Sequence, residues 1–170
     1  MIIVRILFVD DESDVLFQAR TFLEEESDQF EVSTTKSAKQ AIEMIQGSDY
    51  DAVVSDYYMP GMNGLELLES IRRRGFDIPF VLLTGKGGED VAMEATNLGA
   101  DRYFKKVGGP KDQYHKLAGE IRRLVKEKNA SESDNNLIVW IEAKSYADLS
   151  NIKNDIKNLA ENADFYITQF

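Results

Sequence analysis

Residues 50–68, with the sequence YDAVVSDYYMPGMNGLELL, contain one complete strand–loop–helix unit. The run 52–55 is short and apolar, which is typical of a buried strand. Asp56 follows this run directly, and the Pro-Gly pair at 60–61 marks a turn. Leucine and isoleucine then recur over residues 65–71 at a spacing that places them on one face of a helix. A strand followed by an amphipathic helix is the repeating unit of α/β proteins.

Four further units of the same kind lie along the chain. Short apolar runs bounded by polar residues alternate with helical stretches, and this alternation predicts an α/β fold around a parallel sheet. The predicted strands are residues 2–9, 30–34, 52–55, 80–83 and 102–105, and the predicted helices are residues 13–26, 37–47, 64–74, 89–98 and 111–128.

Polar side chains follow four of the predicted strands at the point where each strand ends. They are the pair Asp10 and Asp11, then Asp56, Thr84 and Lys106. Ligands of parallel α/β sheets bind at the carboxyl ends of the strands. We therefore expect these side chains to converge on one polar site, although they are far apart in sequence.

The residue types at this site favour a metal ion together with a phosphoryl group. Three carboxylates that lie close together repel one another, so they need either a raised pKa or a cation. Oxygen ligands without Cys or His nearby favour Mg²⁺, which often bridges to a phosphoryl oxygen. Lys106 supplies a positive charge and Thr84 a hydroxyl group, and an aspartate can itself form an aspartyl-phosphate. Asp56 is the candidate nucleophile.

Each of these residues taken alone also has a purely structural interpretation. Asp10 or Asp11 can cap the helix that follows, and Asp56 can be a turn residue. Thr84 alone carries no signal, and Lys106 can be an ordinary solvated lysine. The functional interpretation therefore depends on the joint occurrence of all of them at strand ends.

Four sequence strings together resemble the receiver domains of two-component response regulators. They are LFVDDESD at 7–14, the opening string at 50–68, VLLTGKGG at 81–88 and LGADRYFKK at 98–106. The resemblance covers roughly residues 1–128. It implies a doubly wound, five-stranded parallel sheet of the flavodoxin-like class, with strand order 2-1-3-4-5.

The resemblance implies roles for the acidic residues. Asp56 would accept a phosphoryl group from a sensor histidine kinase. Asp10, Asp11 and Asp56 would form the acidic Mg²⁺ pocket, with Asp11 preferred as a direct ligand. The main-chain carbonyl of Tyr58 would complete the protein's share of the metal ligands.

The resemblance also implies a switch. Thr84 and Lys106 would contact the phosphoryl group. The phosphoryl group would draw Thr84 inward, and Tyr103 would then fill the vacated space. By the same resemblance, Tyr58 and Lys86 would occupy the positions that tune water access during dephosphorylation. The output would be movement of the face formed by the fourth helix and the fifth strand. Such a protein assists its own phosphorylation and slow dephosphorylation but is not an enzyme for an outside substrate.

One loop departs from the family pattern. Receivers usually carry proline, often in a cis bond, directly after the lysine, whereas here Val107 follows and then Gly108, Gly109 and Pro110. A cis bond is disfavoured before valine. The two glycines tolerate positive φ and can supply a sharp turn instead. This loop resembles a variant found in archaeal receivers.

Composition narrows the function classes. The chain has 170 residues, 43% of them hydrophobic, which is enough for one domain and a small appendage. A formal net charge of −10 argues against nucleic-acid binding through a broad basic surface. No apolar run is long enough to cross a bilayer, and cysteine is absent, so we expect a cytoplasmic protein without zinc chemistry.

Residues beyond the receiver-like part form a separate region. The polar segment 129–136, NASESDNN, is interpreted as a linker. Residues 137–170 then have strand-like, helix-like and strand-like patterns in turn, which predicts a small βαβ extension of unknown role. A unit of this length cannot bury both faces of its strands alone. We therefore expect it to pack on the receiver, pair with a second copy, or recruit a partner.

Three hypotheses remain open from the sequence. The first is a phosphorylation switch that changes partner binding or self-association. Homodimerisation would use the face of the fourth helix, fifth strand and fifth helix, or the C-terminal extension. The second is a degenerate receiver that acts as an interaction or assembly module independently of phosphorylation. The third is an enzyme whose output domain lies unrecognised in residues 131–170.

Overall fold

The computed structural model describes residues 3–85 and 89–134. The chain divides into two units, Met1–Asp134 and Asn135–Phe170, and all described residues belong to the first. The predicted βαβ extension at 137–170 therefore lies outside the described residues.

Within residues 3–85 and 89–134, five parallel strands alternate with five helices, as predicted. The sheet order is β2-β1-β3-β4-β5. The doubly wound flavodoxin-like fold expected from the sequence is confirmed. The strands are β1 (Val4–Val9), β2 (Phe30–Thr35), β3 (Ala52–Asp56), β4 (Phe80–Thr84) and β5 (Arg102–Lys105), and the helices are α1 (Ser13–Glu26), α2 (Ala38–Gly47), α3 (Gly64–Arg73), α4 (Glu89–Asn97) and α5 (Pro110–Asp134).

Apolar side chains cover both faces of the sheet. Alternate residues of a strand point to opposite faces, so neighbours such as Leu7 and Phe8 of β1 belong to different core clusters. Phe8 packs on the side of α1 and α5, whereas Leu7 packs on the side of α2 and α3. Because both faces are buried, the central strands β1, β3 and β4 are nearly continuous apolar runs.

The start of α3 is fixed by its own sequence. The side chain of Asn63 accepts hydrogen bonds from the backbone N–H groups of Leu65 and Glu66. The Glu66 carboxylate in turn accepts from the N–H of Asn63, which completes a capping box. This cap holds the loop after Asp56 in a defined path toward the helix.

The end of α5 corrects the predicted linker. The helix continues to Asp134, so the first six of the eight residues assigned to the linker are helical. This segment lacks both Gly and Pro, so no residue in it breaks a helix. A helix with polar side chains on all sides can project into water without packing on another element. The polarity of this segment was therefore a poor signal for a loop.

The ends of the other elements agree with the predicted ones to within two residues. Within residues 3–85 and 89–134, none of the helices combines the length and apolar character that a bilayer span requires.

Candidate functional site

The site lies at the carboxyl ends of β1, β3, β4 and β5. Asp10 follows β1, while Asp56 and Thr84 are the last residues of β3 and β4. Their exposed fractions are 1%, 7% and 0%, respectively. Lys106 directly follows β5. The parallel arrangement thus gathers four predicted residues at one edge of the sheet.

The ammonium group of Lys106 lies between two buried carboxylates. Its Nζ atom is 3.0 Å from Oδ2 of Asp10 and 2.6 Å from Oδ1 of Asp56. The Lys106 side chain is only 21% exposed, so these ion pairs are partly shielded from water. One positive charge therefore compensates two negative charges at the bottom of the site.

Backbone N–H groups orient both carboxylates. Oδ1 of Asp10 accepts a hydrogen bond from the N–H of Glu12 at 3.0 Å. Oδ2 of Asp56 accepts one from the N–H of Tyr58 at 2.8 Å. In each carboxylate, one oxygen accepts from a backbone N–H group and the other contacts Lys106. The orientation of both carboxylates is therefore fixed.

Burial and charge shift the pKa values in this group. Burial raises the pKa of Asp56, and the nearby charge of Asp10 adds to this effect, although the contacts with Lys106 oppose it. Burial acts to lower the pKa of Lys106, but its hydrogen bond with Asp56 and the charge of Asp10 outweigh burial, so the Lys106 pKa is raised. Lys106 therefore stays charged, while Asp56 is a more basic carboxylate than an ordinary aspartate.

The loop after β5 begins with a backbone contact to β4. The N–H of Lys106 donates to the carbonyl of Thr84 at 2.9 Å. Val107 is 67% exposed, and Gly108 has a φ of +90°. The turn attributed to the glycine pair is confirmed at Gly108, and peptide bonds within the described residues are trans.

The remaining predicted residues occupy different positions around this core. Asp11 is exposed beside the site, and Tyr58 is 59% exposed. Among the described residues, no three acidic or imidazole side chains converge on one point. The arrangement seen here is two carboxylates joined by one ammonium group, with Asp11 at the rim. Lys86 lies outside the described residues.

Tyr103 is half-buried against the core on the α3 side of the sheet. Its hydroxyl group is buried and has no hydrogen-bond partner within the part of the chain that the structure describes. An unpaired buried hydroxyl is energetically unfavourable. No hydrogen bond of its hydroxyl group to a described residue therefore fixes the position of the Tyr103 side chain.

Sequence reasoning missed the role of Gly64. A Cβ atom at this position would lie 2.3 Å from the carbonyl oxygen of Asp56 and 2.7 Å from Cδ1 of Leu82. Only glycine lets α3 begin this close to the end of β3. The apolar spacing predicts a helix from residue 64, but a close approach between separate elements is not visible in a sequence.

Comparison with known proteins identifies the class. Residues 6–118 match the family of the response regulator receiver domain, and the chain belongs to this family. It is thus a receiver domain of the two-component signalling type.

Individual relatives agree with this assignment. The response regulator SaeR of Staphylococcus aureus strain USA300 is 36% identical over 121 residues, which cover 71% of this chain and 52% of SaeR. The chain therefore spans about half the length of the curated relatives it matches. A receiver domain protein from Clostridium thermocellum is 28% identical with a TM-score of 0.67, over 75% of this chain and 98% of that one. A CheY-like receiver domain protein from Methanospirillum hungatei JF-1 is 28% identical with a TM-score of 0.64, over 74% of this chain and 98% of that one.

Proposed function

We propose that this protein is a phosphorylation switch in which Asp56 accepts a phosphoryl group from a phosphohistidine of a sensor histidine kinase. The observation that carries the proposal is the Lys106 ammonium group bound between the buried carboxylates of Asp10 and Asp56, at the strand ends that also carry Thr84. Membership of the receiver family supports the same conclusion.

The transfer is a displacement at phosphorus. A carboxylate oxygen of Asp56 forms the new P–O bond while the P–N bond to the imidazole breaks. The electron pair of the broken bond stays with the imidazole nitrogen. Lys106 offers a positive charge to the phosphoryl oxygens as their charge redistributes, and Thr84 offers its hydroxyl group.

The donor types suit Mg²⁺, although the three carboxylates do not converge on one point among the described residues. The available groups are carboxylate oxygens of Asp10, Asp11 and Asp56 and the main-chain carbonyl of Tyr58, and Mg²⁺ prefers oxygen ligands of this kind. When bound, the ion would neutralise charge shared between the carboxylates and the phosphoryl oxygens. The protein's own contribution is to hold two of these carboxylates by backbone N–H groups before any ligand arrives.

The switch would use Thr84 and Tyr103 on adjacent strands. Thr84 lies at the end of β4, and Tyr103 lies on the neighbouring strand β5. A phosphoryl group that draws Thr84 toward Asp56 would vacate space for the Tyr103 ring, whose buried hydroxyl makes no polar contact with the described residues. The resulting change on the α4/β5/α5 face would alter the affinity for a partner or for a second copy of the chain.

We place the protein in the cytoplasm and assign it no turnover of an outside substrate. A kinase donates the phosphoryl group, and hydrolysis of the aspartyl-phosphate resets the switch. The positions expected to tune that hydrolysis are Tyr58, which is 59% exposed two residues after Asp56, and Lys86. The net charge of −10 argues against nucleic acid as a direct partner.

Mass spectrometry of the intact chain tests the proposal. The chain is incubated with acetyl phosphate and Mg²⁺, with Asp56→Asn as the inactive variant and Asp49→Asn, at an exposed position, as the matched control. We expect one phosphoryl adduct on the native chain and on Asp49→Asn, and none on Asp56→Asn. The absence of an adduct on the native chain with either acetyl phosphate or a phosphorylated kinase would favour an interaction module that works without phosphorylation.

A further inference from the structure

Tyr114 brings a hydroxyl group into a core stripe that is otherwise apolar. It is 2% exposed, and its companions on the buried face of α5 are Leu117, Ala118, Ile121, Leu124 and Val125. Phenylalanine would fill such a position without the cost of removing a hydroxyl group from water. The hydroxyl group therefore needs a separate explanation.

The contacts of Tyr114 join α5 to the two segments that flank Asp10. The ring stacks on Phe22 of α1 with a centroid distance of 5.7 Å and lies 6.3 Å from the ring of Phe8 in β1. The hydroxyl group donates to the carbonyl of Val15 at 3.3 Å. Phe8 precedes Asp10 by two residues and Val15 follows it by five, so Tyr114 holds the chain on either side of that carboxylate.

The loop that carries Lys106 has few anchors of its own. Its first residue is fixed by the bond from the Lys106 N–H to the Thr84 carbonyl. Beyond that point Val107 is 67% exposed, and a Cβ atom added to Gly108 or Gly109 would meet nothing within 4 Å. The next buried side chain along the chain is Tyr114. The position of the loop thus depends on how firmly the start of α5 is held.

We propose that Tyr114 is a positioning residue for Lys106, which ties the start of α5 to α1 and so holds the Lys106 ammonium group between Asp10 and Asp56. The Tyr114–Val15 bond and the Lys106–Asp10 ion pair join the same two segments of the chain, so the first constrains the second. This inference rests on the proposed phosphorylation of Asp56 and adds a residue that positions Lys106 for it.

Electrostatics are consistent with this geometry. Burial raises the pKa of Tyr114 to about 12, with a lowering effect from the charge of Lys106 and a raising effect from that of Asp10. The hydroxyl group is thus close enough to the pair to be affected by both charges. It keeps its proton at neutral pH and remains a hydrogen-bond donor.

A double-mutant cycle tests the proposal through the initial rate of adduct formation with acetyl phosphate and Mg²⁺. Tyr114→Phe keeps the ring and removes the hydroxyl group, and Tyr50→Phe is the control at the opposite end of the sheet. We expect Tyr114→Phe to react about two- to fivefold more slowly, in keeping with the small net value of one hydrogen bond. In a Lys106→Ala background the same substitution should have no further effect.

Two results would overturn the proposal: a wild-type rate for Tyr114→Phe, or an equal slowing in both backgrounds, which would indicate general loosening of the fold. A second measurement does not depend on phosphorylation. Hydrogen exchange of the Lys106 amide should be several-fold faster in Tyr114→Phe than in the native chain or in Tyr50→Phe. Unchanged exchange of the Lys106 amide in Tyr114→Phe would contradict the proposal, whether or not the native chain accepts a phosphoryl group. A native chain that accepts no phosphoryl group would instead contradict the proposed function.

Discussion

Removal of the Lys106 charge should destabilise the fold, because that charge compensates two buried carboxylates. In Lys106→Met a side chain of similar length remains, but Asp10 and Asp56 are left as like charges in a site where they are 1% and 7% exposed. Breaking a fully buried ion pair by removing one partner costs about 3–5 kcal/mol. The Lys106 side chain is 21% exposed, so solvent screens part of the interaction and we expect a loss of about 2–3 kcal/mol.

Thermal unfolding followed by circular dichroism measures this loss. For a unit of this size, about 2–3 kcal/mol corresponds to a decrease in Tm of about 6–12 °C. Lys105→Met is the matched control, because Lys105 is the exposed neighbouring residue at the end of β5. Equal Tm values for the two variants would refute the claim that Lys106 compensates the buried carboxylates.

The pH dependence gives an independent check. Without Lys106 the folded Asp56 carboxylate holds its proton more tightly, because the contacts that lower its pKa are gone, so the folded variant gains stability relative to its unfolded state as pH falls. The difference between Lys106→Met and the native chain should therefore shrink in acid. The pKa of Lys106 is raised in the folded state above its ordinary value of 10.5. Its contribution to the free energy of unfolding of the native chain is therefore fully present below pH 10.5 and is lost as the pH rises through the folded-state pKa of Lys106. A difference that stayed constant between pH 4 and 8 would contradict this reasoning.

Three further substitutions test the surroundings of the site. Gly64→Ala places a Cβ atom 2.3 Å from the Asp56 carbonyl oxygen. We therefore expect the free energy of unfolding, measured by denaturant titration, to fall by about 2–4 kcal/mol and phosphorylation to be slower. Wild-type values for both would contradict the close approach. Asn63→Ala removes the capping box and should cost about 1 kcal/mol in the same titration, whereas an unchanged midpoint would mean that the cap adds nothing. Tyr58→Ala removes an exposed ring beside Asp56 and should shorten the lifetime of the aspartyl-phosphate after the donor is withdrawn, and an unchanged decay rate would exclude a role for that ring.

The sequence predicted the parallel sheet because its signals are local. The strands β1, β3 and β4 are short, mainly apolar runs that end at or just before a polar residue, and α1 begins and ends where its pattern predicts, at Ser13 and Glu26. The location of the site followed from one rule, that parallel strands end at the same edge. Asp10, Asp56, Thr84 and Lys106 could therefore be selected before any distance was known.

The contacts within the site could not be obtained in this way. The Lys106 ion pair with Asp10 joins residues 96 positions apart, and its geometry depends on a loop that departs from the family pattern. The close approach of Gly64 and the buried hydroxyl group of Tyr114 are tertiary features that leave no periodic signal in the sequence. The helical end of α5, up to Asp134, was missed because polarity suggested a linker although no residue there stops a helix.

The most direct test of the central claim is site-specific identification of the phosphoryl group. After incubation with acetyl phosphate and Mg²⁺, the aspartyl-phosphate is reduced with borohydride and the modified peptide is sequenced by mass spectrometry. The account predicts a single modified residue, Asp56, whose modification requires Mg²⁺ and decreases strongly in Lys106→Met. Modification at another aspartate, or none under conditions in which the chain remains folded, would contradict it.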